Sequence, residues 1–233
     1  MPTGAQTRNP AVLSYYAMRR AVGYIALSLP FTLALGSVFL ALLGPGHGLP
    51  RPLLQRSISD YYYTPMRNYY VGSLCAIAAF LICSRGYDLR DEISGYLAGA
   101  AAFGVALFPS VNPHGGYTTM QVDIGFVHTA FAALMFLVLG YICIFLFRRS
   151  SPERPLTRRK RHRNRLYGTC GLVIVVCMCA MVALTVHASL HSLPPSGLLF
   201  WWESLALAAF GIAWLTKGEG ILKDKPHPHI HAA

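Results

Sequence analysis

Ser59, Asp60, His128, His187, His191 and Glu203 are the residues of this chain whose types and spacing can do chemistry. His187 and His191 stand four apart, so on a helix they project from one face and can share a metal ion, as paired histidines do in many zinc sites. His128 is the third ligand of that reading. Asp60 or Glu203 would then orient or deprotonate a metal-bound water, and Ser59 would support the developing negative charge. Each residue also has a plainer role. His128 and Glu203 sit about five or six residues inside apolar segments, roughly 8 Å deep at 1.5 Å per residue, where they can simply form a hydrogen-bonded pair. Asp60 can turn the chain, with Tyr61, Tyr62 and Tyr63 in an interfacial aromatic belt. Asp123 reads as the N-terminal cap of the helix that carries His128.

The elements that must position these groups are helices in a bilayer. Of 233 residues, 54% are hydrophobic and 12% charged, and the apolar ones come in long blocks that a water-soluble domain rarely shows. A hydrocarbon core about 30 Å thick takes roughly 20 helical residues to cross. The blocks predict an all-α, polytopic transmembrane bundle of about six spans, near 21–43, 68–84, 93–108, 124–147, 166–187 and 198–215, within a transmembrane domain 21–217. Residues 1–20 form a cytoplasmic lead, 148–165 a basic cytoplasmic loop and 218–233 a cytoplasmic tail. The first apolar block is too long for the core of a cleaved signal peptide, so it is read as a retained span. Pro30 is a kink site within it, Gly44-Pro45-Gly46 closes it, and Pro194-Pro195 separates the last two spans. Thr64 and Pro65 open the second span, Asp88 with Asp91 and Glu92 caps the third, and Gly95 and Gly99 let that helix approach its neighbours closely.

Charge supplies the orientation. Seventeen of the twenty Lys and Arg residues fall on one face of the six-span layout, and only Arg51, Arg56 and Arg67 on the other. The positive-inside rule places the first face, with both termini, in the cytoplasm. Every candidate site residue then lies on the outer side. The net charge of +11 is concentrated between Arg148 and Arg165, which fits topology and anionic lipid headgroups and excludes nucleic acid as the main partner. The six cysteines lie in or beside apolar blocks and read as small hydrophobes, not a disulfide framework. Phosphate-cradling GxxxxGKS loops, GxSxG elbows and HExxH are missing, and Lys217 sits at a span end, not at mid-membrane. The tail Pro226-His227-Pro228-His229-Ile230-His231 is a weak metal tract on the opposite side from the other histidines.

Four motifs carry a resemblance: Ser57-Ile58-Ser59-Asp60 before the second span, Gly104 to Pro109 closing the third, His128-Thr129-Ala130-Phe131-Ala132 in the fourth, and Trp201-Trp202-Glu203 opening the sixth. Together they resemble an uncharacterised bacterial family of six-span membrane proteins, similar in layout to the eukaryotic FRAG/DRAM-like proteins, over about residues 21–217. That likeness implies a bacterial inner-membrane, multi-pass protein. A looser likeness is to the CREST group, which includes the alkaline ceramidases. Those membrane hydrolases use a Ser, an Asp and three His, with two of the His in an HxxxH arrangement. The likeness implies such roles for Ser59, Asp60, His128, His187 and His191, although that group has seven spans.

The function expected is hydrolysis of a lipid or other amphiphile from the outer leaflet, with zinc as the implied cofactor. The alternative is a non-catalytic lipid-binding, transport or pH-sensing protein in which His128 and Glu203 line a wet cavity. A third reading is a membrane partner subunit docked through its basic loop.

Overall fold

The computed structural model describes residues 10–44, 52–84, 88–113, 115–116, 118–149, 157–191 and 197–222. The Pro194-Pro195 break, most of Gly44-Pro45-Gly46, and the histidine-rich tail lie outside them.

Six long helices run through these residues: α1 (Pro10–Leu43), α2 (Arg67–Cys83), α3 (Leu89–Leu107), α4 (Thr119–Tyr141), α5 (Arg158–Leu190) and α6 (Leu198–Lys217). A short 3-10 helix, Ser59–Tyr63, precedes α2, and a π-helical turn, Ile142–Leu146, continues α4. No strand occurs among the described residues. Four helical stretches are long and apolar enough to cross a membrane: Tyr15–Leu43, Thr119–Leu146, Arg158–Leu190 and Leu198–Lys217. This is therefore a membrane protein. The other two expected spans are less plain, because α2 has 17 residues and α3 carries Arg90, Asp91 and Glu92 in its first turn.

Local chemistry sets the helix ends. Asp88 caps α3 by accepting the Asp91 backbone N–H at 3.1 Å, as expected from the sequence. That hydrogen bond, with Arg149 at 2.8 Å, holds the Asp88 carboxyl below the ordinary aspartate range. The cap of α4 is Thr118, not Asp123. Thr118 and Gln121 form a reciprocal capping box, and Asp123 lies exposed a turn further in. The residues 158–165, read as loop, are the first two turns of α5, capped by Thr157. Arg and Lys are good helix formers, and no glycine or proline interrupts them before Gly168. Likewise α1 starts at Pro10, well before the apolar block, and passes Pro30 without ending.

Close crossings hold the bundle. At the α2–α3 contact a Cβ on Gly99 would lie 2.8 Å from the Ala78 carbonyl oxygen, and one on Gly95 would lie 3.0 Å from that of Leu81. Gly23 and Gly211 face each other where α1 crosses α6, each leaving its Cβ position 2.9 Å from the other's carbonyl oxygen. Small residues at such crossings let helix backbones gain van der Waals contact without large side chains. Many large apolar residues turn outward: Phe31, Leu35, Phe126, Phe145, Leu172 and Trp201 are each more than half exposed, while Tyr70, Tyr167 and Phe210 fill the interior.

Adding one methyl where α1 crosses α6 overpacks that contact. The Gly211→Ala variant is expected to lose about 1–3 kcal/mol of stability in detergent. Gly72→Ala, whose Cβ position is open, is expected to match the parent. Thermal unfolding of both variants checks this.

Candidate functional site

Chain direction collects the sequence-singled residues at one end of the bundle, where α1 and α5 finish and α2, α4 and α6 begin. Into that end folds the segment Arg56–Thr64, with Ser57, Ile58, Asp60 and Tyr61 buried. An irregular backbone inside an apolar bundle must satisfy its own polar groups. Here neighbouring helices do so. The Arg56 carbonyl accepts the Phe200 N–H at 2.8 Å, and the Glu203 carboxylate accepts the Ile58 N–H at 2.5 Å, fastening the segment to the start of α6. Ser57 Oγ accepts the Asp60 N–H at 3.1 Å, which starts the 3-10 turn, and Thr64 Oγ1 donates to the Tyr61 carbonyl at 2.8 Å, which closes it.

His128, on α4, is 4% exposed and uses both ring nitrogens. Nδ1 lies 2.7 Å from the Phe108 carbonyl, which the end of α3 leaves without a helical partner. A carbonyl only accepts, so Nδ1 carries the proton and Nε2 is the acceptor. Nε2 lies 3.0 Å from Ser59 Oγ, so the Ser59 hydroxyl donates to it. The Tyr70 hydroxyl stands 3.5 Å from the same oxygen, and Ser110 Oγ stands 3.5 Å from the Ser59 carbonyl. A serine hydrogen-bonded to a neutral imidazole whose other nitrogen is held by an acceptor is the arrangement of a serine nucleophile with its base.

Asp60 pairs with Arg56 at 3.6 Å. Outside the spans, burial raises the Tyr61 and Tyr63 hydroxyls above the ordinary phenol range, which keeps both as neutral donors. Tyr63 uses its hydroxyl on the Ser110 carbonyl at 2.5 Å. Beside this linkage opens a cleft of about 420 Å³ lined by Tyr62, Tyr63, Arg67, Pro109, Gln121 and Ile124. Apolar walls with a guanidinium and an amide suit an amphiphile with a polar head.

The structure thus joins Ser59 to His128 and brings Glu203 to the adjacent residue, Ile58. His128 and Glu203 do not pair; both reach the same buried segment. His187 and His191 lie exposed at the end of α5, ring centroids 4.5 Å apart. The described residues do not bring His128, His187 and His191 together as one group. Both His128 nitrogens are engaged within the protein, and no group of three His, Cys, Asp or Glu side chains among the described residues is placed to hold a metal.

Tyr70 and Gln121, and the site roles of Ser110, Arg67 and the Phe108 carbonyl, were not anticipated from the sequence. Only Tyr70 left a signal there, as a tyrosine in an apolar block whose hydroxyl needs a partner when buried. Comparison with protein-family models, curated proteins and solved structures finds no match for this chain. The fold and site define a class, an all-α membrane bundle with a hydrogen-bonded serine–histidine pair at one end.

Replacing Glu203 by alanine orphans the Ile58 N–H. The expected loss is about 1–3 kcal/mol, read from thermal unfolding, with Glu203→Gln recovering part of it.

Proposed function

We propose that this chain crosses the bacterial inner membrane six times with both termini in the cytoplasm, and that Ser59 and His128 hydrolyse an ester or amide of a lipid or other amphiphile arriving from the outer leaflet. The 3.0 Å Ser59–His128 hydrogen bond, with Phe108 fixing the imidazole tautomer, carries this reading. The lopsided Lys and Arg count supports the orientation, and the alternating direction of six helices supports the number of spans.

In this mechanism Ser59 Oγ attacks the carbonyl carbon as its proton passes to His128 Nε2. The imidazolium returns that proton to the leaving alcohol or amine, leaving an acyl group on Ser59. Water, deprotonated by the same nitrogen, then releases the acid and restores the serine. Tyr70 is the neutral donor nearest Ser59 Oγ and serves the developing oxyanion. The Phe108 carbonyl stands where a carboxylate stands in many serine hydrolases. It orients the imidazole but stabilises the imidazolium less.

One observation favours a second reading. Glu203 occupies the Ile58 N–H, a donor that an oxyanion site would use, and a carboxyl and an imidazole bonded to the adjacent residues Ile58 and Ser59 can instead sense pH or a bound lipid without catalysis.

A membrane-impermeant fluorophosphonate probe separates the two. In right-side-out vesicles it is expected to label Ser59, with no label in Ser59→Ala and at least about a hundredfold slower labelling in His128→Gln. Inside-out vesicles are expected to stay unlabelled. Absence of labelling from either side, with the protein folded, defeats the hydrolase reading; labelling from the inner side alone defeats the orientation.

A further inference from the structure

The other end of the bundle holds a second polar site. Arg19 on α1 is 7% exposed and Trp214 on α6 is 3% exposed. The Arg19 guanidinium hydrogen-bonds the Tyr15 hydroxyl and lies over the Tyr15 ring, with the Phe147 ring 5.9 Å away. Lys217 Nζ lies 5.1 Å from the centre of the Phe147 ring, and Trp214 packs on that ring at 4.8 Å. The π-helical turn ends immediately before Phe147, whose N–H bonds the Ile142 carbonyl. A π turn changes the register of the following side chains. Here that register sets Phe147 among the two cations and Trp214.

Arg19 Nε and Trp214 Nε1 are buried and find no acceptor among the described residues. Both groups only donate, so what they lack is an acceptor. They line a cleft of about 40 Å³ with Lys217, Ser84 and Asp91. That volume has room for about three water-sized groups, the scale of the oxygens of one phosphate. Asp91 is the acid of the cleft and also lies 3.9 Å from Arg149 Nη1, so it is shared with a further cation. Leu89, Ile93 and Tyr96 of α3 lie exposed beside the cleft wall at Gly95, an apolar surface suited to acyl chains.

We infer that this cleft binds a phosphate group through Arg19, Trp214 and Lys217, carried by an anionic membrane lipid at the cytoplasmic surface or free in solution. Basic pockets between spans on this side take anionic headgroups for the same electrostatic reason. The basic start of α5 borders the site, Lys160 Nζ lying 3.5 Å from the Phe147 carbonyl, and the site is independent of any hydrolysis at Ser59. It rests on the membrane reading alone, and a chain that stays in solution without detergent would fail that reading before this test begins.

The test is thermal unfolding of the full-length, delipidated protein in detergent, with phosphatidylglycerol, phosphatidylcholine, sodium phosphate or sodium chloride added. Phosphatidylglycerol is expected to raise the midpoint by about 3 °C or more, with phosphatidylcholine and chloride giving no rise. A rise with sodium phosphate as well assigns the site to the phosphate group itself; a rise with the lipid alone assigns it to the headgroup in a membrane. Trp214→Phe keeps the ring and removes the donor, and it is expected to lose most of the shift, as is Arg19→Gln. Arg161→Gln, on the exposed face of α5, is expected to retain it. No rise with either phosphate source, or an equal rise in Trp214→Phe and Arg19→Gln, overturns the inference.

Discussion

A buried histidine, donating from one ring nitrogen and accepting at the other, organises one end of this bundle. His128 donates to the carbonyl that α3 leaves open at Phe108 and accepts from Ser59 in the inserted segment. One side chain on α4 thereby ties together the end of one helix and the 3-10 turn before another. In an apolar surrounding neither the carbonyl nor the hydroxyl can turn to water, so both bonds are worth keeping. Glu203 adds the tie to α6 through Ile58. The segment Arg56–Thr64 is thus held by polar groups from the helices around it, and the placement of Ser59 follows from that restraint.

The two ends of the bundle solve opposite problems. At the end that holds His128, irregular backbone brings donors and acceptors into an apolar region, and His128, Glu203 and Ser57 each match one or more of them. At the other end the chain places cations on aromatic rings, with Phe147 shared between Arg19 and Lys217, and buries Arg19 Nε and Trp214 Nε1 without an acceptor among the described residues. The middle needs no such chemistry: Gly23 on Gly211 and Gly99 on Ala78 let backbone meet backbone.

Much of this architecture was legible in the sequence because apolar block length and breakers are local signals. The blocks marked all six helices, Asp88 announced its own cap, and Gly95 and Gly99 announced a close crossing. Local signals also explain the misreadings. Asp123 resembles a cap, but the Thr118–Gln121 pair lies nearer the helix start and satisfies two backbone groups at once. Arg158 to Arg165 resemble a loop because they are charged, yet their helix propensity is high and α5 runs through them. The site was legible only in part. The sequence named Ser59, His128 and Glu203, but not that 69 positions of separation close to a 3.0 Å hydrogen bond. It could not show that Glu203 serves a backbone N–H, since a backbone partner leaves no mark in residue type. The HxxxH spacing drew His187 and His191 into a metal set because spacing along one helix says nothing about where a third ligand points.

The central claim is that Ser59 and His128 act as one unit, and a double-mutant cycle on folding stability tests it most directly. Ser59→Ala, His128→Gln and the double variant are unfolded in the same detergent, and the coupling is read from the departure from additivity. The account predicts a coupling of about 0.5–3 kcal/mol, with the second substitution costing less once the first is in place. Additive losses within about 0.3–0.5 kcal/mol would contradict it, because two residues that share no bond behave that way.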